Sequence, residues 1–63
     1  MSLSENIKNA RIKQGLTQEE LAEKIGVTRQ TIYYYESGER TPKVEHLEKL
    51  SKVLKVSMNK LCK

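Results

Sequence analysis

Leu3, Ile7, Ala10 and Arg11 lie four, three and one residues apart, the spacing that aligns side chains along one stripe of a helix. Ser2 or Ser4 can cap it, because a serine hydroxyl accepts a first-turn N–H that has no partner inside the helix. After Gly15 and Leu16, the run TQEE is a capping-box signature, with the Thr17 hydroxyl taking the third helical amide while Glu20 reaches back. Leu21, Ala22 and Ile25 give this second helix a narrow apolar face. Beyond Gly26 and Val27, Thr28 caps a third helix, RQTIYYYES, which Gly38 stops in the left-handed conformation common at helix ends. The segment ERTPK turns the chain and places Pro42 in the first turn of a fourth helix, where its missing N–H costs nothing. Val44, Leu47, Leu50 and Leu54 then recur three to four apart, the clearest amphipathic stripe in the sequence. Ser57 introduces a last short turn, Met58 to Leu61. No stretch alternates at the period of a strand, so the predicted fold class is all-α.

With 63 residues and no linker, repeat or low-complexity run, residues 1–63 read as a single domain. A domain of roughly 60 residues buries only about 60% of its unfolded surface, so its source of stability matters. One cysteine, Cys62, excludes an internal disulfide, and one histidine leaves no ligand set at zinc spacing. Neither Cys62 nor His46 has a nucleophile, base or metal partner nearby in sequence, and no glycine-rich phosphate loop is present. The sequence therefore indicates no enzyme, no metal and no cofactor, with His46 expected as an exposed residue of the fourth helix. Twelve Lys and Arg against eight Asp and Glu leave a net charge of +4, which suits a polyanionic partner. No apolar run approaches a membrane span of about 18 residues, and MSLSENIK lacks a signal-peptide core. A cytoplasmic location, with no membrane partner, is the expectation.

Every aromatic residue of the chain stands in one place, Tyr33, Tyr34 and Tyr35. Neighbours on a helix point about 100° apart, so the three cannot share a face. From Thr17 to Ser37 the chain has a capped helix, a short glycine turn and a second capped helix, the layout in which the second helix enters the DNA major groove. With Arg29 at zero, Tyr33, Ser37, Gln30 and Tyr34 fall within roughly the next 140°, while Thr31, Ile32, Tyr35 and Glu36 take the other side. The first group is a hydrogen-bonding face. Arginine can donate twice to guanine O6 and N7, and glutamine can match adenine N6 and N7. The second group makes Tyr35 a semi-buried anchor whose hydroxyl reaches the surface, while the first makes Tyr34 a groove-facing ring. Tyr33 is left with three uses: backbone contact, contact with a neighbouring subunit, or solvent exposure. Arg11 on the first stripe and Glu36 at the inner edge of the third helix are each costly to bury alone, so they are predicted to pair.

The stretch LTQEELAEKIGVTRQTIYYYESGERTP resembles the DNA-binding domain of the lambda-repressor-like family, the Cro and XRE type of helix-turn-helix regulators. The resemblance runs from Ile7 through Leu61, and TQEELA, GVTRQTI and ESGERTP carry it. It implies a compact bundle of five helices and a transcriptional regulator, mostly a repressor, binding an operator as a dimer. It also implies base readout by Arg29, Gln30 and Tyr34, a phosphate clamp at Gln18, backbone contacts near Ser37 and Arg40, and a partly buried bridge between Arg11 and Glu36. The amino end of the second helix supports the clamp independently, since its free N–H groups and dipole favour a phosphate near Thr17 and Gln18. Arg40 and Lys43 flank Pro42 and can grip another phosphate, and Tyr33 completes the candidate phosphate set. An aromatic residue at Tyr34 is not the commonest choice of that family at a readout position.

The expected partner is a palindromic operator in double-stranded DNA, bound by a homodimer, with no small-molecule effector evident. An antitoxin or adaptor built on the same scaffold is the rival reading. Val53, Val56, Met58 and Leu61 remain as apolar residues near the C-terminus, either finishing the core or forming a small two-fold patch with Cys62 close to the axis. Leu61 and its neighbours are expected to be partly intermolecular.

Overall fold

Four helices of this chain start on the same bond. In the computed structural model, which describes residues 2–62, the hydroxyls of Ser2, Thr17, Thr28 and Ser57 accept the backbone N–H of Glu5, Glu20, Thr31 and Lys60. Each satisfies one of the amides that a helix leaves without an internal partner. The helices are α1 (Leu3–Lys13), α2 (Gln18–Ile25), α3 (Arg29–Ser37), α4 (Val44–Leu54) and α5 (Met58–Leu61). At α1 and α2 the box is complete: Glu5 and Glu20 accept the N–H of Ser2 and Thr17 at 3.2 and 2.8 Å. Between α2 and α3, Gly26 holds φ at +77°, a left-handed turn in which a Cβ would be strained.

The apolar stripes meet at the centre. Ile7, Leu21, Ile32, Leu50 and Leu61, one from each helix, have no exposed surface. Helix α3 packs against α1 and α2, while α4 closes over α1 and α2 and carries α5. Burying an aliphatic side chain of this size stabilises by about 1.5–3 kcal/mol, so a small body gains most from such full burial.

Several positions differ from the sequence expectations. Helix α4 starts at Val44 with Lys43 as its N-cap, so buried Pro42 precedes the helix rather than occupying its first turn. Val44 consequently sits at the exposed tip, 66% accessible, and the buried stripe begins at Leu47. Leu61 is an internal core residue and not part of an intermolecular patch, and Asn6 Nδ2 donates to its carbonyl at 2.9 Å. The Tyr35 hydroxyl does not end in solvent. It lies 2.8 Å from His46 Nδ1, hydrogen-bonded to it, so His46 is half-buried and joins α4 to α3 instead of standing exposed. Burial raises the pKa of the Tyr35 phenol, with the nearby Arg40 charge opposing.

Glu36 collects the other polar link. Arg11 Nε donates to Glu36 Oε2 at 2.6 Å and Arg11 Nη2 to Oε1 at 3.2 Å, a forked pair whose side chains are only 12% and 4% exposed. Gln18 Nε2 adds a third donor to Oε1 at 3.1 Å. The remaining arm of the guanidinium, Nη1, donates to the Leu16 carbonyl at 2.7 Å, while the Leu16 N–H returns to the Arg11 carbonyl at 3.1 Å. Thus one carboxylate on α3 holds α1 and α2, and through Arg11 the loop between them.

Two predictions concern stability. A buried pair is worth little net, but removing one partner strands the other and costs about 3–5 kcal/mol. A chain of this length has roughly 3–9 kcal/mol in total, at about 0.05–0.15 per residue. Glu36→Gln and Arg11→Met are therefore each expected to lower the urea midpoint sharply, and Arg11→Met with Glu36→Leu to recover much of the loss; a Glu36→Gln protein as stable as wild type would contradict this. The second prediction follows from Glu20, whose carboxyl is held below the usual value of 4.5 by the Thr17 N–H and then the Thr17 hydroxyl. A depressed carboxylate stabilises the fold above its unfolded pKa and loses that contribution as pH falls through the lower folded value. Thermal melts from pH 5 downward should show wild type losing stability more steeply than Glu20→Gln.

Candidate nucleic-acid interface

Helix α3 presents its polar edge outward because Ile32, Tyr35 and Glu36 are spent on the interior. Arg29 and Gln30 open the helix and are exposed. Among the described residues the Arg29 guanidinium has no hydrogen bond or ion pair, which leaves its donors available to a partner. Gln30 is engaged: its Nε2 donates to the Tyr34 hydroxyl at 2.8 Å, one helical turn on. Tyr34 itself is half-buried rather than projecting freely. The Arg40 guanidinium lies over its ring, 5.4 Å from the centroid, and the Tyr33 ring is tilted against it at 6.0 Å. A cation over a tyrosine face is attracted to the ring by about 0.5–1 kcal/mol at an exposed site.

Tyr33 is the exposed ring, 49% accessible, and it separates two depressions. One, of about 380 Å³, is lined by Arg29, Gln30 and Tyr33. The other, of about 190 Å³, is lined by Lys8, Gln18, Tyr33, Glu36 and Ser37. The second brings the amino end of α2 alongside α3 and adds Lys8, a cation that the sequence reading did not select. Its signal was present, since Lys8 precedes Arg11 by three and shares that side of α1.

The α2 terminus is partly occupied. The Thr17 N–H is spent on Glu20, and the Gln18 side chain is spent on Glu36. The backbone amides of Gln18 and Glu19 belong to the first turn and have no acceptor inside the helix, so these are the donors that remain for an anion. Glu19 and Glu20 in the same turn oppose one. Past α3, the Ser37 hydroxyl donates to the Tyr34 carbonyl at 3.2 Å and accepts the Glu39 N–H at 3.4 Å, closing the helix end. Arg40 donates its own N–H to the same carbonyl at 3.2 Å, which fixes the base of its side chain beside Tyr34. Lys43 is exposed at the start of α4 and makes no side-chain cap there.

Two larger depressions, about 480 and 420 Å³, lie elsewhere, between the C-terminal halves of α2 and α4. Their rims carry Lys24, Lys52 and Lys55, which occupy helix ends where positive charge complements the C-terminal dipole. No candidate residue of the interface lines them. Among the described residues no group of His, Cys, Asp and Glu is placed to hold a metal ion, and no helix is long and apolar enough to cross a membrane.

Comparison with known proteins gives this arrangement a context. YqaE of Bacillus subtilis, an uncharacterized HTH-type transcriptional regulator, is 42% identical over 60 residues, covering 95% of this chain and 52% of that protein. The cryptic phage CTXphi transcriptional repressor RstR of Vibrio cholerae is 41% identical over 58 residues, covering 92% of this chain and 52% of that one. The chain thus spans about half the length of these curated relatives. The P22 c2 repressor, solved in complex with a synthetic operator, superposes with a TM-score of 0.95 at 33% identity, over 100% of this chain and 96% of that one. The family pattern described as helix-turn-helix matches residues 7–61. That match takes in both helices of the turn, the pair that fastens them and the outward face of α3, and the chain belongs to the helix-turn-helix family.

Proposed function

We propose that this chain is a sequence-specific DNA-binding domain of a transcriptional repressor, one that inserts α3 into the major groove of a palindromic operator as a homodimer. The observation that carries the reading is the Arg29 guanidinium, without a partner among the described residues, beside Gln30 at the exposed start of α3, with the amino end of α2 meeting the same helix farther along, at Tyr33, Glu36 and Ser37. A major groove about 12 Å wide admits one helix, and Arg and Gln are the side chains that read guanine and adenine there. The solved likeness of the P22 c2 repressor with its operator, and the repressor named RstR, support the same assignment.

Roles divide by position. Arg29 and Gln30 read base edges, with Tyr34 beside them. The Gln18 amide, Tyr33, Arg40 and Lys43 face the sugar-phosphate backbone, with Lys8 added to them. Thr17 and Ser37 hold the two helix ends in place. Arg11 and Glu36 fix the angle between the helices and stay out of the contact. Size supports the homodimer: the body extends 24 × 22 × 20 Å, less than the about 34 Å between half-sites one DNA turn apart. Two copies are needed to read both half-sites. Val53, Val56 and Met58 are half-buried on the core near the C-terminus and keep some apolar surface for a two-fold contact.

Selection of bound duplexes from a random pool should return a palindrome. Binding to it should fall about a thousandfold or more between about 50 and 200 mM salt, as expected for six or more phosphates per dimer. An affinity that hardly responds to salt would favour the antitoxin or adaptor reading. Arg29→Ala should relax preference at one position per half-site at a cost of about 1–3 kcal/mol, whereas Lys43→Ala should weaken all sequences alike.

A further inference from the structure

The bond between Gln30 and Tyr34 changes what Gln30 can read. A glutamine amide has two N–H donors on Nε2 and an acceptor at Oε1. One donor is directed at the Tyr34 hydroxyl, 2.8 Å away. What remains for a base is one N–H and one acceptor. Adenine presents N7 as an acceptor and N6 as a donor, which that remainder matches in both places. Guanine presents two acceptors, N7 and O6, which need two donors.

From this we infer that Tyr34 is a positioning residue that sets the specificity of Gln30, making it select adenine over guanine; the inference rests on the major-groove reading above. Tyr34 is itself held. Arg40 covers its ring, and both the Arg40 N–H and the Ser37 hydroxyl donate to its carbonyl. Its hydroxyl accepts from Gln30, so the hydroxyl proton is directed away from Gln30 and is available to another acceptor. A DNA surface there is rich in acceptors, the phosphate oxygens and the base atoms N7, O6 and thymine O4, so it keeps that proton directed outward. Turning the amide to offer guanine both N–H groups would require the hydroxyl to give up its outward bond and donate to Oε1 instead. Tyr34 therefore acts on the base through Gln30, and Arg40 holds the ring that does so.

The test uses the full chain and the operator selected from a random pool. Gln30→Ala first identifies the base pair whose preference depends on Gln30. Dissociation constants are then measured for duplexes carrying A·T or G·C at that position. Wild type should prefer A·T by about tenfold. Tyr34→Phe, which keeps the ring under Arg40 and removes only the hydroxyl, should melt close to wild type and cut that preference to about twofold or less. Preferences at other positions should be unchanged, which a general loosening of the fold would not produce. A Tyr34→Phe protein that keeps the full preference, or a wild-type preference for G·C at that position, overturns the inference while leaving DNA binding intact. Failure of wild type to select any duplex instead overturns the major-groove reading itself.

Discussion

A carboxylate buried on a short helix must find its donors inside the protein, and in this chain the placement of the first three helices follows from how Glu36 does so. Its two oxygens take both sides of the Arg11 fork, and Oε1 also takes the Gln18 amide. The donors come from α1 and from the first residue of α2, so the crossing of these helices with α3 cannot drift without exposing charge to an apolar interior. Hydrophobic contact alone is less directional. Ile7, Leu21 and Ile32 would remain buried after a small rotation of α3, but the forked bond would not survive it.

The inner bond also determines the outer face. With Glu36, Ile32 and Tyr35 fixed inward, Arg29, Gln30 and Tyr33 are fixed outward, since successive residues are separated by about 100°. Gln18 stands at the junction. Its side chain serves the interior while its backbone amide remains at the exposed amino end of α2, so the same residue registers α2 against α3 and offers a donor at the surface. A side chain that braces and an amide that faces outward are compatible because the two groups leave the helix in different directions.

Local signals in the sequence were legible where the physics is local. The four hydroxyl caps, the glycine turn after α2 and the stripe of Leu47, Leu50 and Leu54 depend on residues within one or two turns of each other. Lys55 shows the limit of that reading: it ends α4 at φ +59°, where no glycine announced a stop, and the turn is held by Ser51 Oγ donating to the Val56 carbonyl at 2.6 Å. Val44 and Pro42 show another. Spacing places Val44 on the apolar stripe, but spacing does not say where a helix begins, and a start at Val44 leaves its side chain at the tip. His46 and Tyr35 lie 11 residues apart on different helices, so their bond is visible only once α4 has closed over the bundle. Leu61 was ambiguous for a similar reason, because a leucine in a short final turn is core or interface depending on whether α1 reaches it, and Asn6 does.

The three adjacent tyrosines illustrate how a small domain uses one residue type in three environments. Tyr35 points inward, and burial would be costly for its hydroxyl without a partner, which His46 supplies. Tyr33 points outward and divides two depressions, with its ring tilted against that of Tyr34 and about half of its surface open. Tyr34 lies between these extremes, with its ring under Arg40 and its hydroxyl on Gln30. A shorter residue at that position would leave Gln30 free to turn and Arg40 without a face to rest on. The tyrosine therefore couples a residue at the start of α3 to one beyond its end, across the full length of the helix. Side chains otherwise lose rotamer freedom only on contact with a partner, at about 0.5–1.5 kcal/mol each. Here part of that loss has already occurred in the free protein, which shifts the balance at this face from adaptable contact toward selectivity.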